Sequence, residues 1–223
     1  MALAIFDLDN TLLGGDSDHA FGDFLIAQSL VDPIAHKARN DEFYRQYQTG
    51  GLDMLAYTQF AISAIIGMAR AEREALHAKF MEDFVEPMML PAAQALLQSH
   101  RARADFCLII TATNRFVTEP IAQRLGVDAL LATELEMVDD RYTGRVQGRP
   151  NFQGGKVLNL QEWLTQWNAN SATPLSMENS IFYSDSFNDL PLMEYAARAI
   201  AVDPDDTLRR IAQERGWEIL SLR

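Results

Sequence analysis

The chain has 223 residues, 48% hydrophobic and 22% charged, a composition that excludes a disordered polymer and supports a packed core. A formal net charge of -12 excludes nonspecific binding to nucleic acid and to acidic membrane surfaces. The length suits one large domain or one domain with an inserted lid, and a single cysteine, Cys107, rules out a disulfide within the chain.

The segment before Asp7 is neither basic nor long in apolar residues, so no signal peptide is expected. No apolar run approaches bilayer length, and the expected location is the cytoplasm. Monomer and dimer are equally compatible with the sequence.

The first predicted strand is Leu3 to Leu8, and Asp7-Leu8-Asp9-Asn10-Thr11 stands at its end. The strand period of two turns Asp7 and Asp9 to one side, where their charges repel. A hard dication such as Mg2+ relieves that repulsion and keeps positions open for a phosphate, which points to phosphoryl chemistry. Asp7 is the candidate nucleophile. Asp9 is placed to protonate a leaving alcohol and then deprotonate water, or else serves only the turn. Asn10 suits an unusual backbone angle and Thr11 a loop-fixing role.

Residues 16–85 read as helical throughout, in the stretches 21–30, 34–48, 54–66 and 73–84. Asp32-Pro33 and Gly50-Gly51 punctuate them, and Asp53 suits a helix cap. Met54, Tyr57, Ala61 and Ile65 make one apolar face, expected to be bundle core rather than a ligand groove. The segment is too long for a simple connection. It is expected to be a helical cap inserted into a core made of residues 1–15 and 86–223.

Beyond residue 86, predicted strands at 106–110, 130–135, 180–183, 199–202 and 218–222 alternate with helices at 91–100, 117–125, 156–166, 190–197 and 206–214. The alternation predicts an α/β fold, a mainly parallel sheet with helices on both faces and its ligand at the carboxyl ends of the strands. Cys107 falls within an apolar run and reads as core. Asp139 to Gly144 reads as the turn of a hairpin on the core.

Three further clusters carry chemistry. Thr111-Ala112-Thr113-Asn114 ends a buried strand, where the Thr111 hydroxyl and the following N–H groups suit phosphate oxygens, although a helix N-cap explains the same residues. Lys156, after Gly154-Gly155, opens a helix against the macrodipole; it is either a partner for Asp7 and a phosphoryl group or a solvated lysine. Ser184-Asp185-Ser186-Phe187-Asn188-Asp189 is denser in acids than a cap requires. Asp185 suits direct metal ligation, and Asp189 a water-mediated or orienting contact.

In this order and placement the motifs resemble those of the haloacid dehalogenase superfamily of phosphohydrolases, within it the phosphoserine-phosphatase-like branch. The resemblance covers Leu3 to Pro204, with the cap matching in position and helical character only. It implies a Rossmann-like core, Mg2+ and catalysis through an aspartyl-phosphate. Carried over, Asp7 is the nucleophile and Asp9 the general acid/base. Thr111, Ala112 and Lys156 meet phosphate, and Asn188 falls in a loop that contacts it. Asp7, the Asp9 main-chain carbonyl and Asp185 hold the metal, and Asp189 supports them.

Asp16 falls where phosphoserine phosphatases carry an acid for the substrate's ammonium group, although Asp16-Ser17-Asp18 also suits a helix cap. Those enzymes clamp the substrate carboxylate with a cap arginine, and residues 57–66 contain no arginine or lysine. The expected substrate is therefore a small phosphorylated metabolite with an amine and no carboxylate. Histidinol phosphate fits first and phosphoserine second, with Arg45 and Arg70 the remaining candidates for a clamp. The four histidines are expected to be surface or packing residues, His19 alone neighbouring the site. A phosphotransferase or mutase with the same intermediate is an alternative. A receiver domain is another, though it lacks the long insertion and the Asp-x-Asp pair.

Overall fold

The computed structural model describes residues 1–223. Strands β1 (Leu3–Phe6), β2 (Phe106–Asn114), β3 (Ala129–Thr133), β6 (Ser180–Ser184), β7 (Arg198–Val202) and β8 (Glu218–Leu220) form one sheet. Its order is β3-β2-β1-β6-β7-β8, and every pairing is parallel. β1 is central, with Leu3 opposite Phe106 on one side and Ser180 on the other. The chain leaves β1 for β2 in one direction and reaches β6 in the other, the switch point that opens a crevice at the carboxyl ends of the strands.

Side-chain alternation divides the core. Ala4, Phe6, Cys107 and Ile109 face one layer, and Leu3, Ile5, Leu108 and Ile110 face the other. Helices α5 (Pro91–Ala102), α6 (Arg115–Leu125), α7 (Gly154–Asn170), α8 (Leu190–Tyr195) and α9 (Asp206–Arg215) connect the strands, as the alternation predicts.

The first strand is shorter than expected. It ends at Phe6, so the period of two does not align Asp7 with Asp9. A turn replaces it: the Leu8 carbonyl accepts the N–H groups of Thr11, Leu12 and Leu13 at 3.3, 2.9 and 3.1 Å. Asn10 takes φ +56°, the left-handed angle that asparagine tolerates. Leu8, Leu12 and Leu13 are fully buried, each worth about 1.5–3 kcal/mol, and they anchor the loop beneath its acids.

Four helices occupy the long connection: α1 (Ser17–Ala27), α2 (Pro33–Gln48), α3 (Met54–Ala61) and α4 (Arg70–Phe80). α1 begins four residues before its expected start, because Asp16 accepts the His19 N–H as N-cap. Asp32 and Asp53 cap α2 and α3 in the same way. α3 stops at Ala61 and passes into a 3-10 turn, Ser63–Ile65; α4 gives way to a wider π turn at Met81–Val85. The expected strand at 130–135 divides into β3 and β4 (Leu135–Val138).

β4 pairs with β5 (Arg141–Val146) through a turn in which Asp139 and Asp140 both take positive φ. This hairpin packs on the helical insertion, not on the core alone. Arg73 donates to the Asp140 carbonyl at 2.9 Å, and Gly67 N–H donates to the Tyr142 carbonyl at 3.2 Å. No helix is long and apolar enough to cross a membrane.

Candidate active site

Asp7 follows β1, Thr111 lies in β2 and Asp185 follows β6, so three adjacent strands deliver their chemistry to one edge. Lys156 reaches it from the first turn of α7. The turn before α7 is tight: a Cβ on Gly155 would meet the Pro150 carbonyl oxygen at 2.4 Å, so only glycine fits there.

The lysine is no surface residue. It is 2% exposed, with Nζ 2.7 Å from Asp7 Oδ1 and 2.7 and 2.8 Å from the two oxygens of Asp189. Burial disfavours its charge, but Asp189 and Asp7 outweigh that and raise its pKa, so it stays an ammonium. Asp189 also accepts the Ser184 hydroxyl at 2.7 Å. Both its oxygens are thereby engaged, and this acid holds the lysine in place beside Asp7.

Burial, with Asp189 and Asp9 adding, pushes the Asp7 carboxyl up to about 7 against the pull of Lys156. Burial, then Asp7 and Asp189, likewise push Asp185 well above the carboxylate range. Thr11 secures Asp185 at both ends: its hydroxyl donates to Asp185 Oδ1 at 3.1 Å and accepts the Asp185 N–H at 3.0 Å.

Asp9 points elsewhere. It accepts the Ser17 N–H at 2.6 Å and the Thr113 hydroxyl at 2.8 Å. Burial and then Asp16 raise it to about 6, while the Ser17 and Thr113 bonds oppose the rise. Both its carboxylate oxygens are thus engaged by neutral donors.

The donor set suits a hard cation. Asp7, Asp9, Asp185 and Asp189 gather at this edge, and the one ammonium, Lys156, pairs with two of them, Asp7 and Asp189. No three His, Cys, Asp or Glu side chains surround a single point. Asp7 and Asp185 each retain an oxygen not engaged by Lys156 or Thr11. Two carboxylates with main-chain, solvent and substrate oxygens form the open, oxygen-only arrangement that Mg2+ accepts.

Asp7, Asp9, Asp16, Thr111 and Ala112 line one cavity with empty space of about 480 Å³, part of it open to solvent. Asn188 does not face it. Its amide donates to the Tyr47 carbonyl at 3.1 Å and accepts from Gln153 at 3.2 Å, tying α2 to the loop before α7. These two bonds make Asn188 a clasp between the helical segment and the core. Met54, Tyr57 and Ala61 of α3 are buried together with Phe43 and Ile65 joins the main core, as expected of that apolar face, while Met54 and Tyr57 also line the cavity. Arg45 pairs with Glu42 and Arg70 with Glu74, both exposed and outside the cavity lining. Of the histidines, His19 alone lines the cavity; His36, His77 and His100 are buried packing residues.

Sequence reasoning missed Thr113, Ser184, Asp18 and the tyrosines of the cavity wall. Thr113 had a signal, since it lies one strand period beyond Thr111. The tyrosines had none, because their approach depends on how the helices fold over the sheet.

Among known proteins, a histidinol-phosphatase of Neisseria meningitidis is 39% identical over 222 residues, 99% of each chain. A phosphoserine phosphatase of Mycobacterium tuberculosis is 31% identical over all of this chain and 71% of its own length. A solved Bordetella pertussis protein of unknown function has a TM-score of 0.90 at 40% identity, covering 99% and 98% of the two chains. A substrate-bound phosphoserine phosphatase shares the fold, with a TM-score of 0.70 at 15% identity over 98% of this chain and 92% of that one. The family model for haloacid dehalogenase-like hydrolases matches residues 4–194. With that match and a full-length relative, the chain belongs to the haloacid dehalogenase-like hydrolase family.

Proposed function

We propose that the chain is a Mg2+-dependent phosphomonoesterase acting through an aspartyl-phosphate on a small amine-bearing phosphate ester, histidinol phosphate before phosphoserine. One observation carries the substrate reading: acids and aromatic rings line the cavity, and no arginine or lysine does. A substrate carboxylate buried there without a cation would cost several kcal/mol, roughly. An ammonium group beside Asp16 would be welcome. The full-length relative named histidinol-phosphatase supports the same choice.

Asp7 attacks phosphorus with the carboxylate oxygen not engaged by Lys156, and the ester P–O bond breaks as Asp9 protonates the departing alkoxide. Asp9 then takes a proton from water, whose oxygen attacks the phosphorus. The acyl-phosphate bond breaks, releasing phosphate and restoring Asp7. A carboxyl raised to about 6 suits both roles near neutral pH. Lys156 and the Thr111 hydroxyl hold the transferring oxygens. Bound between Asp7, the Asp9 carbonyl and Asp185, Mg2+ would neutralise charge on the phosphoryl group and let two anions approach.

Residues 16–85 serve as the cap over a core of 1–15 and 86–223, excluding water while the phosphoryl group is exposed. A receiver domain is disfavoured, because the hydrolase family model spans the motifs. Steady-state kinetics with Mg2+ test the reading. We expect kcat/KM to be highest on histidinol phosphate; a clear preference for phosphoserine, or no turnover of either, overturns it.

A further inference from the structure

Asp18 is a buried acid that the chemistry above does not use. It lies in the first turn of α1, is 7% exposed, and lines the cavity together with Asp16. Lys156 holds Asp7, the Ser17 N–H and Thr113 hydroxyl hold Asp9, and the His19 N–H holds one oxygen of Asp16. Asp18, like Asp9, has only neutral donors, but the reaction gives it no proton to move. Asn114 Nδ2 reaches its Oδ1 at 3.3 Å, and the Tyr57 hydroxyl steadies its charged form. His19 supplies no cation to it, since that ring faces Asp41 at 3.2 Å and Asp23 at 3.8 Å.

The walls around Asp18 are aromatic. Phe43, Tyr44 and Tyr47 come from α2 and Tyr57 from α3, with Phe43 and Tyr57 packed edge to face at 5.3 Å. Flat walls accept a flat ring, and π faces favour a polarised N–H or a cation over an anion. A carboxylate among such rings favours a ring that carries a donor nitrogen.

We propose that Asp18 is a specificity-determining residue that accepts an N–H from a nitrogen heterocycle of the substrate, while Asp16 takes its primary ammonium. The inference rests on the amine-phosphate reading and sharpens it: the substrate class is an amino-alcohol phosphate bearing an imidazole-like ring. Burial first, then Asp16 and Asp9, hold the Asp18 carboxyl well above its ordinary range, a strain that a donated N–H relieves. Asp18 also tethers α1 to the start of α6 through Asn114, so the test must separate the two roles.

Ratios do so. The substrates are histidinol phosphate and phenylalaninol phosphate, which share the amino-alcohol phosphate and carry an imidazole and a larger, nitrogen-free phenyl ring respectively, with p-nitrophenyl phosphate reporting bare phosphatase chemistry. Wild-type enzyme should favour histidinol phosphate over phenylalaninol phosphate by roughly tenfold or more, the worth of one charge-assisted hydrogen bond. Asp18→Asn, which can still accept from Asn114, should reduce that ratio to about one, whereas Asp16→Asn should depress both amines and preserve it. A tether alone would lower every rate and leave the ratio intact, which would overturn the proposal. Should Asp18→Asn fail to fold, wild-type inhibition decides: histidinol must compete roughly tenfold better than phenylalaninol, and equal inhibition overturns the assignment. A wild type that turns over p-nitrophenyl phosphate but neither amine would refute the underlying substrate reading, and Asp18 with it.

Discussion

Lys156 Nζ lies 2.7 Å from Asp7 Oδ1, across 149 residues of chain and beneath a surface that leaves both side chains almost wholly buried. That contact turns one oxygen of Asp7 away from the cavity and leaves the other to face it. It also makes the lysine the one side-chain cation able to offset the acids at this edge of the sheet.

Replacing it should therefore affect chemistry and folding together. Lys156→Met leaves Asp7 and Asp189 facing each other without a cation, and breaking a buried pair in this way costs about 3–5 kcal/mol. Urea denaturation should show that loss, and kcat should fall by roughly two to three orders of magnitude. A variant of unchanged stability would mean that Lys156 is not the buried partner described.

Asp7→Asn should remove both turnover and any covalently bound phosphate, while the circular dichroism spectrum stays native. Asp9→Asn should retain the ability to form some phosphoenzyme but slow both steps by about 10²–10⁴. Rapid quench with labelled substrate reads the two outcomes separately. Substantial activity in Asp7→Asn would end the covalent mechanism.

Metal and proton should compete at Asp7. Its folded pKa is raised from 3.8 to about 7, so the metal-free folded state binds more protons than the unfolded chain between those values. The stability contributed by Asp7 is then fully present below 3.8 and lost as pH rises through about 7. Mg2+ should restore it, so the rise in Tm on adding Mg2+ should grow between pH 5 and pH 8 and shrink in Asp7→Asn. An equal rise at both pH values would contradict the placement of the ion at this carboxylate. EDTA should abolish turnover and Mg2+ return it.

The Asn188 clasp should govern access. Asn188→Ala removes the bonds to Tyr47 and Gln153, loosening the end of α2 from the core. Two hydrogen bonds of about 1 kcal/mol each suggest a KM roughly tenfold or more higher. Hydrogen exchange should quicken at 47–51 while the sheet stays protected. Unchanged exchange there would show that other contacts hold the helices down.

Most of the fold is legible in the sequence. Apolar runs broken by helical periods lead to the parallel sheet, and Asp32 and Asp53 fall at the starts of α2 and α3, whereas the Asp16 cap sets the start of α1 earlier than the pattern suggests. Ends were less legible. Ile62 and Ile65 continue the helical pattern past Ala61, yet the chain tightens there to bury both in the core. Likewise 130–135 reads as one apolar run, but Thr133 ends its first half by donating to the Ala112 carbonyl at 2.6 Å.

Linear order places Asp7, Asp9, Lys156 and Asp185 just past a strand or at a helix start, because such boundaries are written in neighbouring residues; Thr111 lies within β2, which runs on to Asn114. Linear order could not say which partner each carboxylate takes. Asp9 turns to Thr113, 104 positions away, Asp185 to Thr11, 174 away, and Asp189 to Lys156, 33 away. Aspartates are chemically identical along a chain. Their roles diverge only when folding assigns each one different neighbours through space, and with them a different charge, proton affinity and reach.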